Sequence, residues 1–209
     1  MAEQGSPEAQ YHAGMFYNNG IGTPKDPAKA LKWFERAASS GDPLANYKLG
    51  CYYEGQGQGL VEVDKGKALE HKLIAAQQGY ALAQYDVASI FYENGQVEEA
   101  LGWARKAADQ GLPEAFYALF AAYSGGKGVP RDAAAAYGYL KIIARNAPKE
   151  ELTEIRENLA ALERELSPSE LSQAQEFARN WRARKTPLTT RARNGMEEAR
   201  RLVRGSDGN

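Results

Sequence analysis

The sequence predicts an all-α protein, an α-solenoid of about four helix-turn-helix repeats closed by a C-terminal pair of capping helices. Three observations lead to this prediction. An alanine-x-tyrosine motif begins at positions 9, 45, 83 and 115, at intervals of 36, 38 and 32 residues. A glycine stands four residues before each copy, and apolar residues keep a helical spacing throughout. Hairpins of this kind bury their apolar faces against their neighbours, so we expect a right-handed superhelix.

The first helix of each repeat carries the motif. Its copies are Ala9-Gln10-Tyr11, Ala45-Asn46-Tyr47, Ala83-Gln84-Tyr85 and Ala115-Phe116-Tyr117. Each preceding glycine is typical of a residue that ends a helix in the left-handed conformation. Ser6-Pro7 and Asp42-Pro43 place a capping side chain before a proline, which indicates a helix start. The predicted repeats span residues 6–41, 42–79, 80–111 and 112–147, within an array covering 1–147.

The second helix of each repeat combines alanines with one large side chain. In the first repeat the pattern is Ala30, Trp33, Ala37 and Ala38. His71, Trp103 and Tyr139 stand at the position of Trp33 in the later repeats. Alanine lets neighbouring helices approach closely, and the aromatic ring fills the space between hairpins.

The first repeat matches a known pattern at twelve positions: Ala9, Tyr11, Gly14, Tyr17, Gly20, Gly22, Asp26, Ala30, Trp33, Ala37, Ala38 and Gly41. With these residues the chain resembles the Sel1-like repeat family, which is related to the tetratricopeptide repeats. Ala88 and Phe120 depart from the pattern, because the family has a small glycine there. The resemblance implies a protein that binds other proteins.

Both ends of the chain depart from the repeat. Residues 2–5 align with the end of a second helix at 108–111, so we expect the parent protein to extend upstream, as a leader or further repeats. The segment 148–184 predicts two capping helices, the second opening at Ser167-Pro168-Ser169-Glu170 as a capping box. The segment 185–209 predicts a basic, flexible tail. Basic residues of this end are Arg182, Arg184, Lys185, Arg191, Arg193, Arg200, Arg201 and Arg204.

Composition and motifs argue against catalysis. The chain has 209 residues, a net charge of −1 and one cysteine. Its two histidines, His12 and His71, lie in different repeats without a nucleophile or metal-ligand pattern, so we predict no enzymatic activity, no metal and no cofactor. Cys51 follows Gly50 on a first helix, where a small buried residue packs well. No aromatic residues alternate with the basic ones, so we predict no nucleic-acid partner, and no stretch is apolar enough to span a membrane.

The predicted partner-binding residues lie on the first helices, which line the concave face in related tetratricopeptide arrays. They are Tyr11, Asn18, Tyr47, Glu54, Tyr85, Tyr92, Glu93 and Tyr117. Tyrosine offers a large contact area with a polar tip, although repeating tyrosines are also common in protein cores. We therefore expect a monomeric module that binds one protein partner on this face.

The resemblance leaves three functional classes open. The first is a bacterial immunity or inhibitor protein acting against a secreted toxic effector such as a lipase. The second is a scaffold or adaptor of a multiprotein complex, and the third is a hydrolase. Because the array is short and a leader is expected, a periplasmic location is favoured over a cytoplasmic one.

Overall fold

A computed structural model describes residues 2–3, 5–57, 59–126 and 128–206, with the side chains of 199, 200 and 202–206 left out. Every regular element in these ranges is helical. The helices are α1 (Pro7–Asn19), α2 (Pro27–Ser39), α3 (Pro43–Cys51), α4 (Lys65–Gln77), α5 (Ala81–Glu93), α6 (Val97–Asp109), α7 (Pro113–Gly125), α8 (Ala133–Ile143), α9 (Leu152–Glu163), α10 (Pro168–Asn180) and α11 (Pro187–Ser206). A π-helical turn, Tyr52–Gln56, continues α3. The predicted all-α class is confirmed.

Local sequence signals begin and end these helices. The Asp42 carboxylate accepts a hydrogen bond from Ala45 N at 2.8 Å, and Asp26 caps α2 in the same way through Lys29 N at 2.9 Å. Gly41, with φ of +88°, joins the end of α2 to the start of α3. A side chain in that left-handed conformation would be strained, so glycine is the favoured residue at this junction.

The chain divides into two compact units. Unit 1 comprises the described residues within 1–87 and 186–209, and unit 2 those within 88–185. In unit 1 the hairpins α1/α2 and α3/α4 pack through a core that includes Phe34, Leu44 and Val87. In unit 2 the core includes Leu119 and Tyr137, and the Tyr137 hydroxyl donates to Glu163 at 2.8 Å.

Where the first and second helices of a hairpin meet, a small residue on the first helix faces a large side chain on the second. A Cβ added to Gly14 would lie 2.5 Å from the Phe34 ring, and one added to Gly50 would lie 2.7 Å from Lys72 Cγ. The bulk of the second helix therefore requires a glycine on the first. In the third repeat Ala88 stands at the glycine position and Ala104 at the position of Phe34, and both are buried. The departure at Ala88 is thus accompanied by a smaller second-helix residue.

The C-terminal helices of unit 2 extend the last hairpin. The capping box predicted at Ser167 is present, with Ser167 and Glu170 each accepting from the other's backbone N–H. Helix α10 packs on α8, where Gly138 makes room for the Phe177 ring. Trp181 then packs edge-to-face on Phe116, with ring centroids 5.0 Å apart.

The segment 185–209 differs from the flexible tail that we expected. Residues 187–206 form helix α11, which packs on unit 1, and 207–209 lie outside the described residues. The apolar face of α11 is too small to order the helix alone. Contacts with residues distant in sequence supply the remaining stabilisation. One of them is the hydrogen bond that Thr186 Oγ1 donates to the Gly79 carbonyl at 2.7 Å. No helix in the described part of the chain is long and apolar enough to cross a membrane.

Candidate protein-binding surface

The predicted partner-binding residues fall into both units. Unit 1 holds Tyr11, Asn18, Tyr47, Glu54 and Tyr85, and unit 2 holds Tyr92, Glu93 and Tyr117. They differ in accessibility and partners. Tyr92, Glu93 and Tyr117 are exposed, whereas Tyr11 is buried and Tyr47 and Tyr85 are half-buried. The tyrosine motif therefore marks one position in the repeat but several environments.

A buried lysine on unit 1 contacts three other residues. Lys72 Nζ lies 2.5 Å from Glu54 Oε2 and 2.7 Å from Asp86 Oδ2. It also lies 5.9 Å from the ring centroid of Tyr47. We call Tyr47, Glu54, Lys72 and Asp86 the Lys72 cluster. The lysine side chain is only 3% exposed, whereas the side chains of Glu54 and Asp86 are 33% and 23% exposed. The cluster thus presents acidic groups to solvent over a buried cation.

Local sequence explains how the Lys72 cluster forms. Gly50 leaves space for the aliphatic stem of Lys72, and the π-helical turn after α3 carries Glu54. Burial by itself would lower the pKa of Lys72, but hydrogen bonds to Asp86 and Glu54 outweigh it and raise that pKa. The lysine is therefore charged at neutral pH, and one cation fixes two carboxylates in place.

Tyr47 of the Lys72 cluster and its neighbour Tyr80 are neutral. Tyr47 packs edge-to-face on Tyr80, with ring centroids 5.0 Å apart. Burial, followed by the nearby Cys51 and Asp86, raises the pKa of Tyr47 and raises that of Tyr80 to about 12. Burial likewise raises the pKa of the Cys51 thiol. Tyr47 therefore contributes a polarised ring and a neutral hydroxyl rather than a charge.

A second cation lies over the equivalent tyrosine of the first repeat. Arg191 Nη2, on α11, is 2.5 Å from Asp42 Oδ2, and its Nε is 3.8 Å from Glu8 Oε1. The guanidinium carbon lies 5.9 Å from the centroid of Tyr11. We call Glu8, Tyr11, Asp42 and Arg191 the Arg191 cluster. Tyr11 was predicted to face a guest, and in the structure it faces a helix of the same chain.

The other predicted residues have separate environments. Asn18 Oδ1 accepts a hydrogen bond from the Tyr52 hydroxyl at 3.0 Å, which ties α1 to the π-helical turn. In unit 2 the Tyr117 hydroxyl donates to Glu151 Oε2 at 2.7 Å. Tyr92 is 47% exposed and is the most accessible of the predicted tyrosines. The Lys72 and Arg191 clusters, both in unit 1, are therefore the most organised of these sites.

The side chains of Cys51 and His71 both pack within unit 1. Cys51 is buried with a raised thiol pKa, so the reactive thiolate is disfavoured. His71 Nδ1 lies 2.9 Å from Asn46 Oδ1, and its ring stacks on Tyr53 with centroids 5.6 Å apart. Burial lowers the pKa of His71. Among the described residues, no group of three or more His, Cys, Asp or Glu side chains could hold a metal ion.

Sequence reasoning missed Lys72, Asp86, Asp42 and Arg191. A signal for Lys72 did exist, because it takes the position of the buried Phe34 of the first repeat. A lysine at a core position must find charged partners. The pairing of Asp42 with Arg191 joins residues 149 apart in the chain, and no local pattern indicates it.

These hairpins form a helical-repeat protein of the class that mediates protein–protein interaction. The family model of the Sel1 repeat matches residues 7–42, 43–80, 81–112 and 113–147. The chain belongs to the Sel1 repeat family, as the first repeat indicated. The four units of the match agree with the predicted repeats to within one residue at their junctions.

Three related proteins illustrate the similarity. The chain is 33% identical over 132 residues to the uncharacterized protein NMB1327 of Neisseria meningitidis, covering 63% of this chain and 27% of that protein. It is 48% identical over 48 residues to the chitin synthase regulator SKT5 of Malassezia restricta, covering 23% of this chain and 3% of that protein. It therefore spans a minor part of either relative. The crystal structure of a Sel1 repeat protein from Oxalobacter formigenes is 29% identical, with a TM-score of 0.66, over 85% of this chain and 74% of that one.

Proposed function

We propose that this chain is a non-catalytic adaptor module that binds a protein partner on the first-helix face of unit 1. The observation that carries the proposal is the Lys72 cluster, in which one buried cation fixes two partly exposed carboxylates beside Tyr47. A preformed acidic and aromatic surface costs little ordering entropy on binding. Its charge favours a partner segment that carries Lys or Arg.

The regulatory or adaptor reading is favoured over the immunity reading. SKT5 is named as a regulator of chitin synthase, which is consistent with a Sel1 repeat acting on another protein. None of the three related proteins above is named as an immunity protein, so an inhibitor of a toxic effector receives no support from them. A hydrolase needs an activated nucleophile, and the burial of Cys51 opposes one.

The experiment is quantitative affinity capture from the native source with the full chain. The test variant is Glu54→Gln with Tyr85→Ala, which removes one carboxylate and one ring while Asp86 still pairs with Lys72. The control is Glu157→Gln, the same change on an exposed residue of α9 in unit 2. We expect a partner whose recovery falls at least tenfold with the test variant and is unchanged with the control.

Two results would contradict the proposal. If every captured protein is retained by a folded Glu54→Gln, Tyr85→Ala variant, the face is not the binding site. If the captured partner is a toxin whose activity the chain inhibits, the immunity reading replaces the adaptor reading. Circular dichroism at 222 nm establishes that each variant keeps its helices.

A further inference from the structure

Residues in the first two turns of helix α11 attach it to the rest of unit 1. At its start, Thr189 Oγ1 donates to the Gly79 carbonyl at 3.1 Å and accepts from Ala81 N at 2.9 Å. Two residues later, Arg191 contacts Asp42 and Glu8. Ala192 is buried beneath it. The chain thus places one of its own helices on the starts of α1, α3 and α5, the first helices of three repeats.

The receiving surface is acidic at the position of Arg191. With α11 docked, the Asp42 side chain is only 2% exposed, its Oδ1 caps α3 and its Oδ2 contacts Arg191. The cation therefore stabilises a carboxylate that the docked helix removes from water. Glu8 adds a second, more exposed carboxylate, and Tyr11 a ring that faces the guanidinium. These groups specify what can dock here, namely a helix that places a lysine or arginine over Asp42.

The fit of α11 to this surface is incomplete. A cavity of about 90 Å³ lies between α1 and α11, lined by Met15, Phe16, Ala192, Gly195 and Met196 among others. Phe16 and Met196 remain 40% and 45% exposed. Arg191 Nε is buried without a hydrogen-bond acceptor in the described structure. The apolar side chains that border this gap make fewer packing contacts than in a filled interface, and the Arg191 Nε donor lacks a hydrogen bond. The surface of unit 1 therefore has apolar area that α11 does not cover.

Gly195 lowers both the intrinsic stability of α11 and the packing of α11 against α1. A glycine inside a helix weakens the helix relative to alanine. A Cβ added there would lie 3.6 Å from His12 Cε1, which is an ordinary contact distance. A helix with a side chain at this position would fold better and would reach into the cavity. Compared with such a helix, α11 is a poor competitor.

We propose that the α11 surface of unit 1 is the receptor for a basic amphipathic helix of a partner protein, and that α11 is the internal occupant which this helix displaces. The proposal rests on the adaptor function above and names the partner class. The expected helix carries an arginine or lysine, a small residue directly after it, and a residue larger than glycine four positions after the cation. Tethering gives α11 a high effective concentration, which compensates for its imperfect fit.

The test uses the full chain and a labelled peptide of residues 185–206 in fluorescence anisotropy. In the Arg191→Gln chain the internal helix loses its ion pair, and we expect the wild-type peptide to bind this chain at least tenfold more tightly than the wild-type chain. Thr189→Val weakens the same helix at its other anchor and should have the same effect. Circular dichroism establishes that both variants are folded.

Variants of the peptide test the chemistry of recognition. A peptide with Arg191→Gln should bind the opened chain at least tenfold more weakly. A peptide with Arg193→Gln is the matched control, because Arg193 is exposed and pairs within the helix with Glu197 at 3.8 Å. A peptide with Gly195→Ala should bind about threefold or more tightly, as the cavity and helix propensity require.

The outcomes separate this proposal from the adaptor function. Equal binding of the peptide to the wild-type and Arg191→Gln chains would overturn the internal-occupant role. Equal losses with the Arg191→Gln and Arg193→Gln peptides would show general charge attraction and would overturn specific recognition. If a partner is still captured through Glu54 and Tyr85 while the peptide does not bind, the adaptor function stands and this proposal falls.

Discussion

Replacing Lys72 by methionine tests how unit 1 is held together. Methionine keeps an unbranched stem against Gly50 and deletes only the cation. Glu54 and Asp86 then face each other without a counter-charge. Breaking a fully buried ion pair by removing one partner costs about 3–5 kcal/mol. Because both carboxylates here retain some contact with water, we expect a loss of about 1–3 kcal/mol in the free energy of unfolding.

A second substitution separates charge from packing. Adding Asp86→Asn to Lys72→Met removes the more buried carboxylate, and the partly exposed Glu54 can turn to solvent. The double variant should therefore recover at least half of the lost stability. A recovery of this size is a coupling between neighbours that a sum of two independent substitutions would not give.

Urea unfolding followed by circular dichroism at 222 nm measures the change, and amide hydrogen exchange across residues 65–77 localises it to α4. The raised pKa of Lys72 fixes the pH dependence. Its stabilisation is fully present below the ordinary lysine value of 10.5 and is lost as pH rises through the folded-state value. A Lys72→Met protein as stable as wild type at pH 7 would refute the reasoning, because the carboxylates would then need no cation.

Two further predictions concern the hairpins. Gly14→Ala should lower the free energy of unfolding by about 1–3 kcal/mol, because the added Cβ overpacks against the Phe34 ring. Gly102→Ala is the control, because no atom lies near its added Cβ. In the same urea assay it should leave the free energy of unfolding unchanged or raise it by up to about 1 kcal/mol. Burial lowers the pKa of His71, so its stabilisation is present above pH 6.5 and is lost as pH falls through the folded value; His71→Gln, which keeps a polar partner for Asn46, should flatten that acid limb in urea titrations from pH 7 to 4.5.

The repeat architecture could be predicted because its signals are local. Asp42-Pro43 starts α3, and Gly41 provides the left-handed residue between α2 and α3, both through interactions within a few residues. The aromatic and alanine positions follow from helical periodicity. Tyr47 was correctly placed on a first helix, but its half-buried state depends on Tyr80 and Lys72 from other helices. Periodicity identifies the face of a helix and does not identify what covers that face.

The same physical reason explains why the segment 185–209 reads as a flexible tail in the sequence while the structure has a helix at 187–206. Taken alone, residues 187–206 carry much charge and few apolar side chains, which is typical of a chain that cannot pay its ordering entropy. The docked helix is instead stabilised by Asp42, whose buried carboxylate also caps α3. A capping aspartate has an obvious local role, so nothing in the sequence indicates its second, distant partner.

The two cation clusters share one arrangement that connects fold to function. Tyr11 and Tyr47 occupy the same repeat position, and each has a cation within 6 Å of its ring. At Tyr47 the cation is Lys72, which is built into the hairpin and buried. At Tyr11 the cation is Arg191, which is brought by a separate helix and is 29% exposed. Because Lys72 belongs to the hairpin itself, it holds Glu54 and Asp86 in place whether or not α11 is docked, which suits the preformed surface of the proposed adaptor. Arg191 belongs to α11, so in the proposed displacement the cation of a partner helix takes its place over Asp42 and Tyr11.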